Sequence, residues 1–339
     1  MSLPLSAAAD LLLKTHYLLV TIAVEGMSWF QAYICCMLLC SCLSCAPHAL
    51  HIQPDWESKP KSVEIEDIPA FAQDPHQCGA TALASVLCWT GIQTSPGELA
   101  FQVYDPKRKG TLQSSLLSAA RRQGRVGFPI RGPDVLFKEL RAGHPVLVLL
   151  NKGLWWWPVW HYALVCGYEG PHQKILMAAG KSSKERIAWS SFYRMWLRAD
   201  AWGMLVLPPN DLPATASAQE WLRAVHGLEL AGQYEQALIG YTSALDKWPF
   251  ELAAMMGKAN SLYALDRLKE AEKTLRRTFK MHPDSGPVLN NLAQVLLEQG
   301  KIKAARQAIN KALERGGPFT EAFHETRTEI RSRAQRERP

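Results

Sequence analysis

Asp74-Pro75-His76-Gln77-Cys78-Gly79-Ala80-Thr81-Ala82-Leu83-Ala84-Ser85-Val86-Leu87 sets a cysteine at the point where a loop turns into a helix. Pro75 lacks an N–H and its ring clashes with the preceding turn, so it stands outside the helix. From Ala80 onward the residues are small or apolar and favour helix. Cys78 therefore falls in the first turn, where free N–H groups and the positive end of the helix dipole favour an anion. A thiolate is such an anion, and thiol acidity rises at helix N-termini and beside a protonated His. The competing reading is an inert, buried core cysteine.

Working outward, Gln73, Gln77-Cys78-Gly79 and the downstream run Trp160-His161-Tyr162-Ala163-Leu164-Val165 resemble the catalytic segments of bacteriocin-processing (double-glycine-leader) cysteine peptidases. More narrowly they are similar to bacterial lipoprotein relatives that carry tetratricopeptide repeats. The resemblance runs from about Val63 to Pro209. It implies an α+β, papain-like peptidase fold, with Cys78 as nucleophile and His161 as base. It also implies Gln73 and the Cys78 N–H as holders of the oxyanion. Relatives place that Gln six residues before the Cys; here Gln73 stands five before it, and Gln77 is the alternative. The family's orienting Asp or Asn is expected after Met177, where this chain reads Ala178-Ala179-Gly180. Ser182, a backbone carbonyl or water would have to set the imidazole tautomer instead. His76 and His144 are alternative bases. His76 lies too close to Cys78 in the chain, and His144, between Gly143 and Pro145, reads as a turn residue.

The chain of 339 residues suffices for two ordinary domains plus an extension. Its net charge of +7 is spread over helices and a basic tail, without the aromatic-interleaved clusters of a nucleic-acid binder. Of eight cysteines, Cys35, Cys36, Cys40, Cys42 and Cys45 crowd into one apolar stretch, which argues against a disulfide framework. No spacing suggests a zinc site, and no cofactor is implied.

Residues 1–45 read as a signal or anchor. No charged residue occurs from Gly26 to Pro47, and Trp29 to Leu43 is strongly apolar, close to the ~20 residues that span a bilayer. Three readings stay open: a lipoprotein signal processed before Cys45 or Cys42, an uncleaved membrane anchor, or a buried helix. The first two place the protein in a bacterial cell envelope, tethered to the membrane and facing the periplasm.

Residues 46–62 read as a linker, 63–210 as the peptidase domain and 211–217 as a second linker. Val63 to Pro69 alternates apolar and acidic residues, as a half-exposed strand does. Ser95-Pro96-Gly97-Glu98 has the form of a capping box, and Thr111 reads as the cap of a helix from Leu112 to Gln123. The run Trp155-Trp156-Trp157-Pro158-Val159-Trp160 is read in three ways: a hydrophobic rim packed on the domain, an aromatic wall of the substrate groove through Trp157 and Trp160, or an interfacial belt.

From Ala218 the texture changes. Ala237, Ala271 and Ala305 are 34 residues apart, as are Gly232, Asp266 and Gly300. That period is the tetratricopeptide signature, so residues 218–317 read as three repeats forming an all-α solenoid, which serves either as a structural prop or, the favoured reading, as a concave surface that grips a protein segment. Residues 318–339 read as a frayed basic tail. The expectation is thus an α+β papain-like peptidase acting on a peptide or protein, a repeat array for a protein partner, and a membrane contact through the N-terminal segment.

Overall fold

The computed structural model describes residues 62–72, 77–179 and 183–336. Gln73, His76, Ser182, Cys42, Cys45 and the whole N-terminal apolar segment lie outside the described residues. So does the linker up to its last residue, Ser62. Among the described residues no helix is long and apolar enough to cross a membrane.

The first part of the chain is a mixed α+β domain built on one seven-stranded antiparallel sheet. Its strands are β1 (Ser62–Glu64), β4 (Val126–Arg131), β5 (Val146–Asn151), β6 (Trp160–Glu169), β7 (Lys174–Ala179), β8 (Ser183–Ala188) and β9 (Trp202–Leu207). Their order is β4-β9-β5-β6-β7-β8, with β1 pairing the far end of β6. A short separate hairpin joins β2 (Tyr104–Asp105) to β3 (Gly110–Thr111).

Side chains alternate cleanly across this sheet. Leu147, Tyr162, Leu164, Trp202, Met204 and Val206 face one layer, made by α1 (Cys78–Trp89), α2 (Pro96–Val103) and α3 (Gln113–Arg122). Val146, Val148, Ala163, Val165, Leu205 and Leu207 face the other, which holds α4 (Pro133–Arg141) and α5 (Trp189–Leu197). Helix α1 is buried from Gly79 through Leu87, consistent with its lack of any charged residue. Ser95 and Glu98 form the full capping box at the start of α2. Thr111 does not cap α3; it ends β3, and Leu112 is the N-cap with no side-chain hydrogen bond.

Seven further helices follow: α6 (Ala218–Leu230), α7 (Tyr234–Lys247), α8 (Leu252–Ala264), α9 (Leu268–Met281), α10 (Gly286–Glu298), α11 (Ile302–Arg315) and α12 (Thr320–Arg336). The first six pair as three repeats. Helix α12 replaces the frayed tail that its charge suggested. Phe323, Thr326 and Ile330 recur along one face and are buried against the last repeat, and Arg333 bonds Glu298 at 3.3 Å. A polar-backed helix of this kind covers the apolar face that a terminal repeat would otherwise expose.

The repeats are not hung on a free tether. Trp221, Ala224, Val225 and Leu228 of α6 share one continuous core with Val126, Phe128 and Ile130 of β4. The Gln233 side-chain amide donates to the Arg122 carbonyl at 3.2 Å. The first repeat thus completes the second face of the sheet. Trp221 is fully buried and its indole N–H donates to the Gly240 carbonyl at 3.1 Å. Trp221→Ala should therefore cost roughly 3–5 kcal/mol. Urea unfolding followed by near- and far-ultraviolet dichroism should show sheet and repeats lost in one transition, in this variant and in its parent. Two separated transitions in the parent chain would show that the shared core does not couple them.

Candidate active site

Cys78 is the first residue of α1, with Gln77 as N-cap and the Thr81 N–H closing the first turn on the Gln77 carbonyl at 2.9 Å. The thiol is half-buried and free. It lines a cleft of about 770 Å³ together with Lys109 to Gln113 on one wall and Pro158, Val159, Trp160 and Tyr162 on the other. Arg198 and Asp200 stand at the same cleft. Gly79 is a close-approach position. A Cβ there would lie 2.8 Å from the Thr111 Cβ, so only glycine lets the β2–β3 hairpin close over the helix start.

The second element is β6. Its first residues, Trp160 and His161, pair with Asn151 and Leu150 of β5. The Tyr162 N–H donates to Cys78 Sγ at 3.5 Å, so the sulfur rests against the peptide that joins Tyr162 to His161. The Tyr162 hydroxyl donates to the Thr111 carbonyl at 3.0 Å, tying the strand to the opposite wall. Burial, reinforced by the nearby Cys78, pushes the Tyr162 phenol above its usual range, so it stays protonated. Tyr162 and Thr111 are site residues that sequence reasoning passed over. The signal available was the parity of the strand, which puts Tyr162 on the same face as α1.

Among the described residues the His161 ring makes no hydrogen bond, to Cys78 or to anything else, and His161 is not one of the residues that line the cleft; what meets the sulfur is the Tyr162 N–H, one residue along the strand. Burial, with a smaller push from the Lys152 ammonium, lowers the His161 pKa to about 4. The imidazole is therefore neutral at ordinary pH and able to accept a proton. Catalytic hydrogen bonds are often long in resting sites and tighten only with substrate. Ala178 pairs with Leu164 of β6, and an alanine at that position carries no hydrogen-bonding group with which to orient an imidazole. Of the two expected groove tryptophans, Trp160 lines the cleft and Trp157 does not.

His144 corrects the turn reading. It is buried, 6% exposed, between two carboxylates. Its Nδ1 lies 2.7 Å from Glu139 Oε2 and its Nε2 lies 3.3 Å from Asp211 Oδ1. Glu139, fully buried on α4, also accepts from the N–H groups of Ala214 and Thr215 and from the Thr215 hydroxyl. The turn itself exists, but its imidazole fastens the 211–217 segment to the sheet domain. That commits His144 to structure and removes it as a base for Cys78. Among the described residues no cluster of side chains could hold a metal ion.

The tetratricopeptide repeat family model matches residues 222–278 and 257–319. No curated protein matches this chain. The peptidase domain of Streptococcus ComA, a bifunctional transporter of a quorum-sensing pathway, is 21% identical. The match covers 42% of this chain and 99% of that one, at a TM-score of 0.36. A C39-like peptidase from Bacillus anthracis is 17% identical over 44% of this chain and 98% of its own, at 0.37. The first tetratricopeptide domain of Spaghetti (RPAP3), bound to an HSP90 peptide, is 18% identical over 34% and 93%, at 0.32.

Proposed function

We propose that the chain is a membrane-tethered cysteine peptidase whose repeats bind a protein segment. The observation that carries the reading is a free, half-exposed thiol in the first turn of a buried helix, opening on a cleft and resting against the peptide beside His161. In this reaction His161 takes the Cys78 proton, and the sulfur attacks the carbonyl carbon of a substrate amide. The Cys78 N–H and Gln73 hold the oxyanion, a contribution of about 10²–10³ in rate per donor. The proton passes from His161 to the leaving amine as the C–N bond breaks. Water then attacks the thioester, releasing the acid and restoring the thiol. The lipid-bearing residue is Cys45 or Cys42, which places the chain in the cell envelope.

A second reading is a peptidase-like scaffold with little or no catalysis. It is favoured by the depressed His161 and by alanines where the orienting residue belongs. One experiment separates the two. Purified full chain is incubated with a peptide library and products are identified by mass spectrometry. Cleavage that disappears with Cys78→Ser supports the peptidase; a library left intact by an electrophile-reactive protein supports the scaffold.

A further inference from the structure

The β5–β6 connection carries an aromatic surface that the cleft does not use. Trp155, Trp156 and Trp157 are 78%, 62% and 74% exposed, and none of them lines the cleft. Leu154 and Val159 beside them are also exposed. Soluble surfaces rarely carry so many large apolar side chains together unless something covers them. The loop is held in this display rather than collapsed. The buried Asn151 side chain accepts from the N–H groups of Gly153 and Val159 and donates to the Leu154 carbonyl. Gly153 is needed because a Cβ there would meet the Trp157 carbonyl at 2.3 Å. Arg198 clamps the Asn151 carbonyl at 2.8 Å. The rings are thus pinned outward by a buried bracket.

We propose that this loop inserts into the headgroup region of a phospholipid bilayer and seats the mouth of the Cys78 cleft at the membrane surface. Two observations favour lipid over a protein partner. From Leu154 to Trp160 the sequence is Leu-Trp-Trp-Trp-Pro-Val-Trp, with no charged, amide or hydroxyl side chain. A protein interface needs about one hydrogen bond per 100–200 Å², whereas indole rings settle at the headgroup level with only their own N–H to satisfy. The flank is also cationic. Lys152 in the loop and Lys109 on the facing wall of the cleft make no salt bridge among the described residues, which suits anionic headgroups. The proposal does not depend on catalysis. Its consequence for the site is that substrates would be membrane-proximal segments.

The test uses the full chain reconstituted in vesicles of phosphatidylcholine and phosphatidylglycerol, with and without brominated acyl chains that quench tryptophan fluorescence on contact. The chain has 12 tryptophans, so the quenched fraction is compared between the parent, a Trp155→Ser/Trp156→Ser/Trp157→Ser variant and a Trp29→Phe control. The loop variant should lose at least about half of the quenched component and bind less well to anionic vesicles, with alkylation of Cys78 unaltered. Quenching that is unchanged by the loop variant, or that disappears only in the Trp29→Phe control, overturns the proposal. Loop tryptophans that stay quenched equally in vesicles lacking anionic lipid would overturn the role given to Lys152 and Lys109.

Discussion

Replacing His161 by alanine should slow alkylation of Cys78 by an electrophilic thiol reagent about 10²-fold or more near neutral pH. That figure is the lower end of what a positioned base supplies. The rate is read by mass spectrometry of the Cys78 peptide, with Cys78→Ser as the zero. The unbonded resting geometry makes this a sharp test. If the helix start alone activates the thiol, His161→Ala changes little, and the base assignment is wrong. The pH profile adds a second check. Burial, then the Lys152 charge, holds His161 down at about 4, so the imidazole stays neutral and able to accept a proton through pH 5 and 6. The acid limb of reactivity should accordingly lie below the ordinary imidazole range. Lys152→Gln should raise the His161 pKa part of the way back towards 6.5, followed by the ring-proton resonance. The return is incomplete because burial is the larger cause.

How much of this was readable in advance depended on how local the determinant was. The repeats are legible because Ala237, Ala271 and Ala305 pack at helix crossings that recur with each pair, and all three are fully buried. Strand β9 is legible because Trp202 to Leu207 is a buried run bounded by turn signals. Strand β4 is not. Val126-Gly127-Phe128-Pro129-Ile130-Arg131 contains two residues that read as breakers, and they are tolerated because β4 pairs on one side only, with β9. Strand β8 hides for the opposite reason. Ser183-Lys184-Glu185-Arg186 carries the charge of a loop because it is the far edge of the sheet. The site divides in the same way. Cys78 at its helix start and His161 at its strand start are local patterns. The neighbours of the sulfur, Tyr162 and Thr111, come together only through the closure of β2–β3 over Gly79. His144 reads as a turn because Asp211, one of its two partners, lies 67 residues downstream, and the other, Glu139, is itself tied to that distant segment through Ala214 and Thr215.

That distant partnership should dominate the stability of the body formed by sheet and repeats. Glu139→Ala strips three donors and an imidazolium of their common acceptor and should cost roughly 3–5 kcal/mol by urea unfolding. His144→Ala leaves Glu139 with the Ala214 and Thr215 donors and should cost less. The signs of the pH dependence follow from the two shifts. Burial pulls His144 down, but the hydrogen bonds and charges of Asp211 and Glu139 outweigh it and raise the group to about 9. Burial likewise pushes Glu139 up, yet the bonds from His144 and Thr215 carry it below its ordinary value. The His144 contribution is thus complete below its unfolded value near 6.5 and disappears as pH rises through about 9. The Glu139 contribution is complete above its unfolded value near 4.5 and disappears as pH falls through its lower folded value. Stability should therefore form a plateau between about pH 4.5 and 6.5 and decline on the alkaline side through pH 9. In His144→Ala the alkaline decline should vanish. In Glu139→Ala it should shrink to the part owed to Asp211, whose carboxylate is partly exposed. A decline of the same size in all three proteins would mean that another group, and not this clamp on the 211–217 segment, sets the alkaline limit.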